Sequence, residues 1–359
     1  MFLPVVLLAT CIELPGEERS VGLFAIGKEL LLIAQENETK QILLVHLDDS
    51  FKPSKLEWIA NVKPAKINDA VFLEKKNLIA LVGHSLDELR RRAVYICLLD
   101  VQGRLLKEQT LAFPGTESWA ESATFNNNSF FLAGGYNTLK KGWFDALLLK
   151  LNSNLELVWR RTIGGLSDDW FHRVKLVGAH LLCVGSTESK GRGKADMLIA
   201  LYDQRGKKIW EKVFGRLNWD KAIDCVEFEN KLFILGWTNS YTSHRSGLLI
   251  KMSHDGKFIE ERLIDLGSDF SPFGICAFGN HLLIYGAVWN DRTRFDPVLI
   301  LLDGSEEKIH TFHWPNDQTV KGVVVWNEYV VFHGESENEI TGEDIYVHAF
   351  PIDSLSSSK

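Results

Sequence analysis

Seven stretches decide the fold: KELLLIA (28–34), NLIALVG (77–83), NSFFLAG (128–134), AHLLCVG (179–185), NKLFILG (230–236), NHLLIYG (280–286) and EYVVFHG (328–334). Each is a short apolar run that ends in glycine, or in Ala34 in the first copy. The last residues, Ala34, Gly83, Gly134, Gly185, Gly236, Gly286 and Gly334, stand 49, 51, 51, 51, 50 and 48 positions apart. A period near 50 residues, seven times over, marks a repeat architecture.

A second element follows each of these: QILLVHLD, AVYICLLD, DALLLKLN, DMLIALYD, GLLIKMSHD, DPVLILLD and DIYVHAFP. In most copies a polar turn and another apolar run complete the unit, as in NSNLELVWRRTIGG and DQRGKKIWEKVFGR. The runs are strand-length, rich in Val, Ile, Leu and aromatics, and bounded by Gly, Asn or Asp. Helical spacing is sustained nowhere. Four short strands per repeat predict an all-β chain: a seven-bladed β-propeller of four-stranded antiparallel blades.

The expected organisation is one propeller domain over 1–359. Its blades fall at about 19–62, 63–113, 114–164, 165–215, 216–266, 267–315 and 316–353, with a tail at 354–359. The seventh repeat supplies only three strands. Residues 1–14 hold one unassigned strand, Pro4–Ile12, and the reading is that it completes blade seven and closes the ring.

Composition sets outer bounds. The chain has 40 Lys+Arg against 47 Asp+Glu, and this mild acidity points away from nucleic acid as a general partner. No run of about 18 uncharged apolar residues is present, so no spanning helix is expected. None of the five cysteines forms a C-x-x-C pair, and Cys97, Cys183, Cys225 and Cys276 sit in apolar runs as small hydrophobes. No cofactor or metal is expected, because no ligand spacing, Walker loop, dinucleotide fingerprint, G-x-S-x-G or H-E-x-x-H occurs. The chain is expected to be a cytoplasmic monomer. Export or lipid anchoring is the alternative if residues 1–11 serve as a signal, though no Lys or Arg precedes their apolar stretch.

The repeat grammar carries a resemblance. WRRTIGGLSDDW (159–170), GSTESKGRGKADMLI (185–199) and DQRGKKIWEKVFG (203–215) resemble the SBBP-type and quinoprotein-like bacterial propeller repeats. Their units run GG…D, G-x-T, an Asp-led apolar strand, then G-x-x-x-W. The likeness is sharp in repeats three to five, while repeats one and seven lack the G-x-T and Trp elements. Quinone-dependent propeller enzymes are similar only in blade style. Their vicinal cysteines are missing here.

In a propeller the loop entering strand one and the loop between strands two and three share a rim, and rim loops are free to carry function. The entering loops are expected to hold Trp119, Asp168, Asp169, Trp170, Trp219, Asp220, Asp269 and Phe270. The other loops hold Tyr136, Trp143, Trp237, Tyr241 and Trp289. These rings either seal gaps between blades or form a stacking surface. Basic residues crowd the same loops in blades two to six (Arg90, Arg91, Arg92, Lys140, Lys141, Lys190, Arg192, Lys194, Arg245, Arg292, Arg294). Blade seven's ESENEITGED (335–344) is acidic. This pattern suggests a basic crescent for an anionic partner, with ordinary solubilising charge as the plain alternative.

Six residues ahead of each strand-two run lie Gly22, Val71, Ser122, Arg173, Asp224, Gly274 and Gly322, read as channel-facing. Arg173 and Asp224 are expected to pair, and Glu121 and His172 occupy equivalent places. The recurrent Asp145, Asp196, Asp296 and Asp344 are read as loop clamps. The favoured function is a non-catalytic binding or scaffolding propeller whose rim takes a protein or an anionic or glycan ligand. Its candidate residues are Tyr136, Trp237, Trp289, Trp170, Trp219, Arg173, Asp224 and His172. The alternative is a hydrolase or lyase acting on polysaccharide, with Asp168, Asp169, His172, Asp220 and Asp224 at the channel mouth.

Overall fold

A computed structural model describes residues 8–12, 17–138, 143–304, 306–313, 317–338, 342–352 and 354. The Pro4–Leu7 half of the expected closing strand, Lys140, Lys141 and residues 355–359 lie outside them. The described chain is almost entirely β-structure, in seven four-stranded antiparallel sheets, the seven-bladed β-propeller the repeats call for.

The first strand is β1 (Leu8–Ile12). Blade one is β2 (Glu18–Ile26), β3 (Glu29–Glu36), β4 (Ile42–Leu47) and β5 (Pro53–Trp58). Blade two is β6 (Ala65–Leu73), β7 (Leu78–Leu86), β8 (Arg92–Asp100) and β9 (Leu105–Leu111). Blade three is β10 (Thr116–Asn126), β11 (Ser129–Thr138), β12 (Phe144–Asn152) and β13 (Leu157–Ile163). Blade four is β14 (Asp169–Val177), β15 (His180–Thr187), β16 (Asp196–Asp203) and β17 (Lys208–Phe214). Blade five is β18 (Asp220–Phe228), β19 (Lys231–Thr238), β20 (Ser246–Met252) and β21 (Phe258–Ile264). Blade six is β22 (Phe270–Phe278), β23 (His281–Asn290), β24 (Arg294–Asp303) and β25 (Glu306–Thr311). Blade seven is β26 (Gln318–Trp326), β27 (Tyr329–Asn338) and β28 (Gly342–Pro351), with β1 as its fourth strand.

The contacts divide the chain into two compact units, Met1–Ala60 with Ser271–Lys359, and Asn61–Phe270. In the first unit, β1 pairs antiparallel with β28 from Leu8↔Ala349 to Ile12↔Ile345. Ile12 is buried in a cluster with Leu30, Val45, Phe51, Trp326 and Val347, so the N-terminal strand joins the core shared by blades one and seven. Glycine on the inner strand of this unit makes room for a ring from strand two. A Cβ at Gly274 would collide with Tyr285, and one at Gly322 with His333. His333 is buried, its Nδ1 lies 2.8 Å from Ser20 Oγ, and burial pushes its imidazole down to about 3. Gly274 and Gly322, read from the sequence as channel-facing, are seats for these side chains.

In the second unit each inner strand packs over the face of the preceding blade: β10 over β6–β8, β14 over β10–β12, β18 over β14–β16. The turns between strands three and four follow one rule. Asp100, Asn152 and Asp203 each accept backbone N–H bonds through Oδ1 from the residues two and four ahead. The residue three ahead takes a left-handed φ, as Gly103, Leu155 and Gly206. Trp159 lies against Gly206, and Trp210 against Gly256. Each tryptophan also donates its indole N–H into that neighbouring turn, to Gln204 O (3.3 Å) and His254 O (2.9 Å). The G-x-x-x-W spacing is therefore a staple between one blade's outer strand and the next blade's turn.

Strand one of nearly every blade carries a β-bulge, at Ser20/Gly22, Ile67/Asp69, Ala120/Ser122, Phe171/Arg173, Ala222/Asp224 and Val320/Gly322. The bulge turns a carbonyl toward strand two. A Cβ at Gly83, Gly134, Gly185, Gly236 or Gly334 would strike the backbone oxygen of Lys66, Trp119, Trp170, Lys221 or Thr319 respectively. This is why the repeated strand-two run ends in glycine.

Two outcomes are expected. Gly185→Ala forces a methyl onto backbone that cannot yield and lowers stability by about 2–3 kcal/mol in urea unfolding; a change below the experimental error would contradict the account. Removal of residues 1–12 exposes the β28 edge and takes Ile12 from the core, a loss of about 2 kcal/mol from that side chain alone. An unaltered melting temperature would refute closure by β1.

Candidate functional site

The site lies on the inner strands of blades two to five. The residue after each bulge bonds across a gap between neighbouring blades. Asp69 Oδ2 accepts the N–H of Ala123 at 2.9 Å, and Ser122 Oγ accepts that of Val174 at 3.4 Å. Arg173 reaches both ways, Nη1 at 3.4 Å from Asp69 and Nε at 3.5 Å from Asp224. Lys175 Nζ closes on Asp224 at 2.8 Å, and Asp224 Oδ1 also accepts the Cys225 N–H at 2.8 Å. Arg173 and Asp224 thus pair as expected. The third member was misplaced in the sequence reading, which put Val71 at this position. The 3₁₀ turn Glu74–Lys76 lengthens the β6–β7 connection by two residues, so Asp69 is the equivalent of Arg173. Burial raises the carboxyl of Asp69 above its usual range, and the Arg173 charge works against that rise.

The residue within the bulge is Asn68, Glu121, His172 or Ile223. Asn68 Nδ2 donates to Ala120 O at 2.8 Å across the blade gap. Glu121 and His172 are each held by the tryptophan two places earlier. Trp119 Nε1 donates to Glu121 at 2.6 Å, and Trp170 Nε1 donates to His172 Nε2 at 2.8 Å. An indole N–H can only donate, so His172 keeps Nε2 unprotonated and carries its hydrogen on Nδ1. Burial, then Lys221 and Arg173, pushes this imidazole down to about 3, so it is neutral at physiological pH. Burial also raises the Glu121 carboxyl, opposed by the bond from Trp119.

Trp119 and Trp170 belong to strands β10 and β14 rather than to entering loops. Trp119 is buried, edge-on to Phe144 at 4.8 Å, with the Arg92 guanidinium 4.7 Å above its ring. Lys221 Nζ stands 4.9 Å from both the Trp170 and Trp219 rings, and its ammonium is lowered chiefly by burial. Arg245 covers Trp237 at 4.6 Å, and Arg216 covers Tyr241 at 3.7 Å. Tyr136 is buried against Phe113, under Arg160 at 4.6 Å. Many of the rim's cations and rings that sequence reading treated as two sets are joined in cation–π pairs. In the other unit Trp289 is partly exposed, edge-on to Phe295 at 5.3 Å, with its N–H on Asp291.

Much of the basic crescent is neutralised locally. Arg91 pairs with Asp87 at 2.7 Å, Arg92 with Glu117 at 3.0 Å and Lys190 with Glu211 at 2.5 Å. In the first unit Arg294 of blade six binds Glu337 of acidic blade seven at 2.6 Å. The strand-three aspartates hold loops: Asp196 Oδ2 accepts N–H bonds from Arg192 and Gly193, and Asp296 meets His313 Nδ1 at 2.6 Å. Among the described residues no group of three metal-ligating side chains occurs.

No protein-family model and no curated relative matches the chain. Its backbone is similar to solved propellers. The β-propeller domain of the Trilobed protease from Pyrococcus furiosus superposes with a TM-score of 0.56 at 11% identity, over 94% of this chain and 96% of that one. That domain is described as having an open velcro topology, whereas here β1 pairs with β28. The AfRom2 CNH domain gives 0.54 at 10% identity, over 95% and 98%. Pyrococcus horikoshii acylaminoacyl peptidase gives 0.55 at 9%, over 92% of this chain, which spans about half of that enzyme (51%). At such identities the likeness establishes the fold alone.

The network predicts a non-additive cycle. Arg173→Met leaves the Asp69 carboxylate without its cation and costs about 3 kcal/mol. Adding Asp69→Asn restores at least about 1 kcal/mol of that loss. Simple additivity of the two changes in denaturant unfolding would show that the pair is not coupled.

Proposed function

We propose that the chain is a non-catalytic binding propeller, and that the blade two-to-five face takes an anionic partner, protein or glycan. The observation that carries this reading is the recurrence of cations held flat on aromatic rings. Such a pair offers a partner both a charge and an apolar plane in one fixed place. Its rotamers are already restrained, which reduces the ordering cost of association.

The same geometry weighs against the hydrolase or lyase alternative. The carboxylates that an acid–base pair would draw on are engaged as ties. Asp168 accepts the Phe144 N–H at 2.9 Å, and Asp169 accepts the Ser189 hydroxyl at 2.6 Å. Asp220 accepts the Arg216 N–H and the Ser240 hydroxyl at 2.8 and 2.9 Å. Asp224 is held by Lys175. The Gly and Trp spacing of repeats three to five supports kinship with SBBP-type repeats, and each of its elements has a packing role here.

The test uses polygalacturonate and polyglutamate as anionic glycan and peptide probes, titrated by calorimetry. One of them is expected to bind, with affinity falling steeply between about 0.05 and 0.5 M salt. Lys221→Ala with Arg245→Ala is expected to weaken it at least tenfold. Affinity that ignores both salt and the double substitution would overturn the reading.

A further inference from the structure

The two ends of the unit formed by Asn61–Phe270 differ in the connections they carry. Antiparallel order puts the connections β7–β8, β11–β12, β13–β14 and β17–β18 at one end, and the turns within each strand one–two and three–four hairpin at the other. At the first end large apolar side chains stand in solvent: Leu166 is 88% exposed, Leu217 78%, Leu89 70% and Trp143 46%. At the opposite end the turns themselves carry no exposed large apolar side chain among the described residues, although the outer strands that leave them expose Leu106, Leu157, Val158, Ile209, Phe258 and Ile259 beside the turns.

The fold does not require these leucines. Leu166 and Leu217 each stand three residues before the buried aspartate that opens strand one, Asp169 and Asp220. The same position on the flanking blades is Gly115 and Gly267, in a left-handed conformation. Nor are the leucines on loose chain. Asp220 accepts the Arg216 N–H and Ser240 accepts the Asn218 N–H at 3.1 Å. The Asn218 carbonyl accepts the Lys194 N–H at 3.0 Å. Leu166 is framed by Asp168, whose carbonyl accepts the Glu188 N–H at 2.9 Å. Two rigid loops hold bare leucine side chains out into water.

Charge surrounds the tips. The loops 188–195 and 215–219 carry Lys190, Arg192, Lys194 and Arg216 against Glu188, with Lys190 paired to Glu211 and Arg216 to Glu261, while the loop of Leu166 itself carries Asp168. Arg192 and Lys194 are exposed and make no ion pair among the described residues. Leu89 is followed by Arg90, whereas Arg91 and Arg92 beside it are paired with Asp87 and Glu117.

We propose that this end of the unit docks on an anionic lipid bilayer, with Leu166 and Leu217 entering the headgroup–acyl boundary and Arg192 and Lys194 meeting lipid phosphates and carboxylates. The shape favours a bilayer over a folded acidic protein. The apolar tips are separate, Leu217 and Leu89 each with a cation next to them in sequence, and would need a matching hollow for each on a rigid partner. A fluid interface admits scattered protrusions without matched pockets, and it rewards leucine, tryptophan and basic side chains together. The proposal goes beyond the rim reading above, because it rests on loop tips rather than on the cation–aromatic pairs.

Vesicle co-sedimentation of the full chain tests it, comparing pure phosphatidylcholine with phosphatidylcholine containing about 30% phosphatidylserine. The protein is expected to partition onto the anionic vesicles at low salt and to leave the neutral ones. Leu166→Ser with Leu217→Ser is expected to reduce partitioning about tenfold, and Arg192→Glu with Lys194→Glu by at least as much. Both pairs lie at exposed tips, so melting temperatures should match the parent chain. Absence of partitioning, equal partitioning onto neutral vesicles, or a leucine variant that binds like the parent would each overturn the proposal. The last outcome marks adsorption by charge alone, as an acidic protein would also show. Titration of the leucine variants with polygalacturonate and polyglutamate keeps the two readings apart, since those probes report on Lys221 and Arg245.

Discussion

One backbone irregularity organises this molecule: the bulge in strand one. An extra residue there twists the inner strand, leaves one residue out of register and drives a carbonyl against strand two. Three consequences follow together. Strand two must be glycine at the facing position, as at Gly185 opposite Phe171. The residue after the bulge aims at the neighbouring blade, where Asp69 and Ser122 accept N–H bonds from Ala123 and Val174. The residue inside the bulge is offered to the interior, where Glu121 and His172 are each steadied by a tryptophan. Blade spacing, inter-blade hydrogen bonding and the polar cluster share a single cause.

The same view accounts for what could and could not be read from the sequence. The glycine period was plain because a steric prohibition leaves an invariant mark. Blade one relaxes it to Ala34, which pairs with Ser20. The closing strand was legible by default, since one repeat lacked a strand and one strand lacked a repeat. The register of the inner strands was less visible, because a two-residue extension at Glu74–Lys76 shifts a count without disturbing the apolar pattern. That shift hid Asp69. The pairing of rings with cations was also hidden, since Lys221 meets Trp170 across a blade gap and the two lie 51 positions apart in the chain. Asp87, four residues before Arg91, is a local sign of neutralisation that the reading of the basic loops passed over.

Several polar groups in this fold reach sideways to the next blade as well as along the chain. Trp159 and Trp210 donate into the next blade's turn, and Asn68 into the next blade's inner strand. Such bonds bind adjacent sheets with directional contacts that apolar packing alone would leave free to slide. In the first unit rings take over that role: His333 and Tyr285 fill the space above glycines.

The strand at Leu8–Ile12 has a further consequence in time. Its partner around Ile345 is made about 330 residues after it. At roughly 5–20 residues per second, the ribosome takes on the order of 20–60 s to supply that partner. Throughout that interval an apolar strand waits without a sheet. Its pairing then has to close a loop nearly as long as the chain, which makes it among the most non-local steps in folding. The contact that completes the seventh sheet is therefore also the step most exposed to misassociation, and the one where a holdase would act to greatest effect.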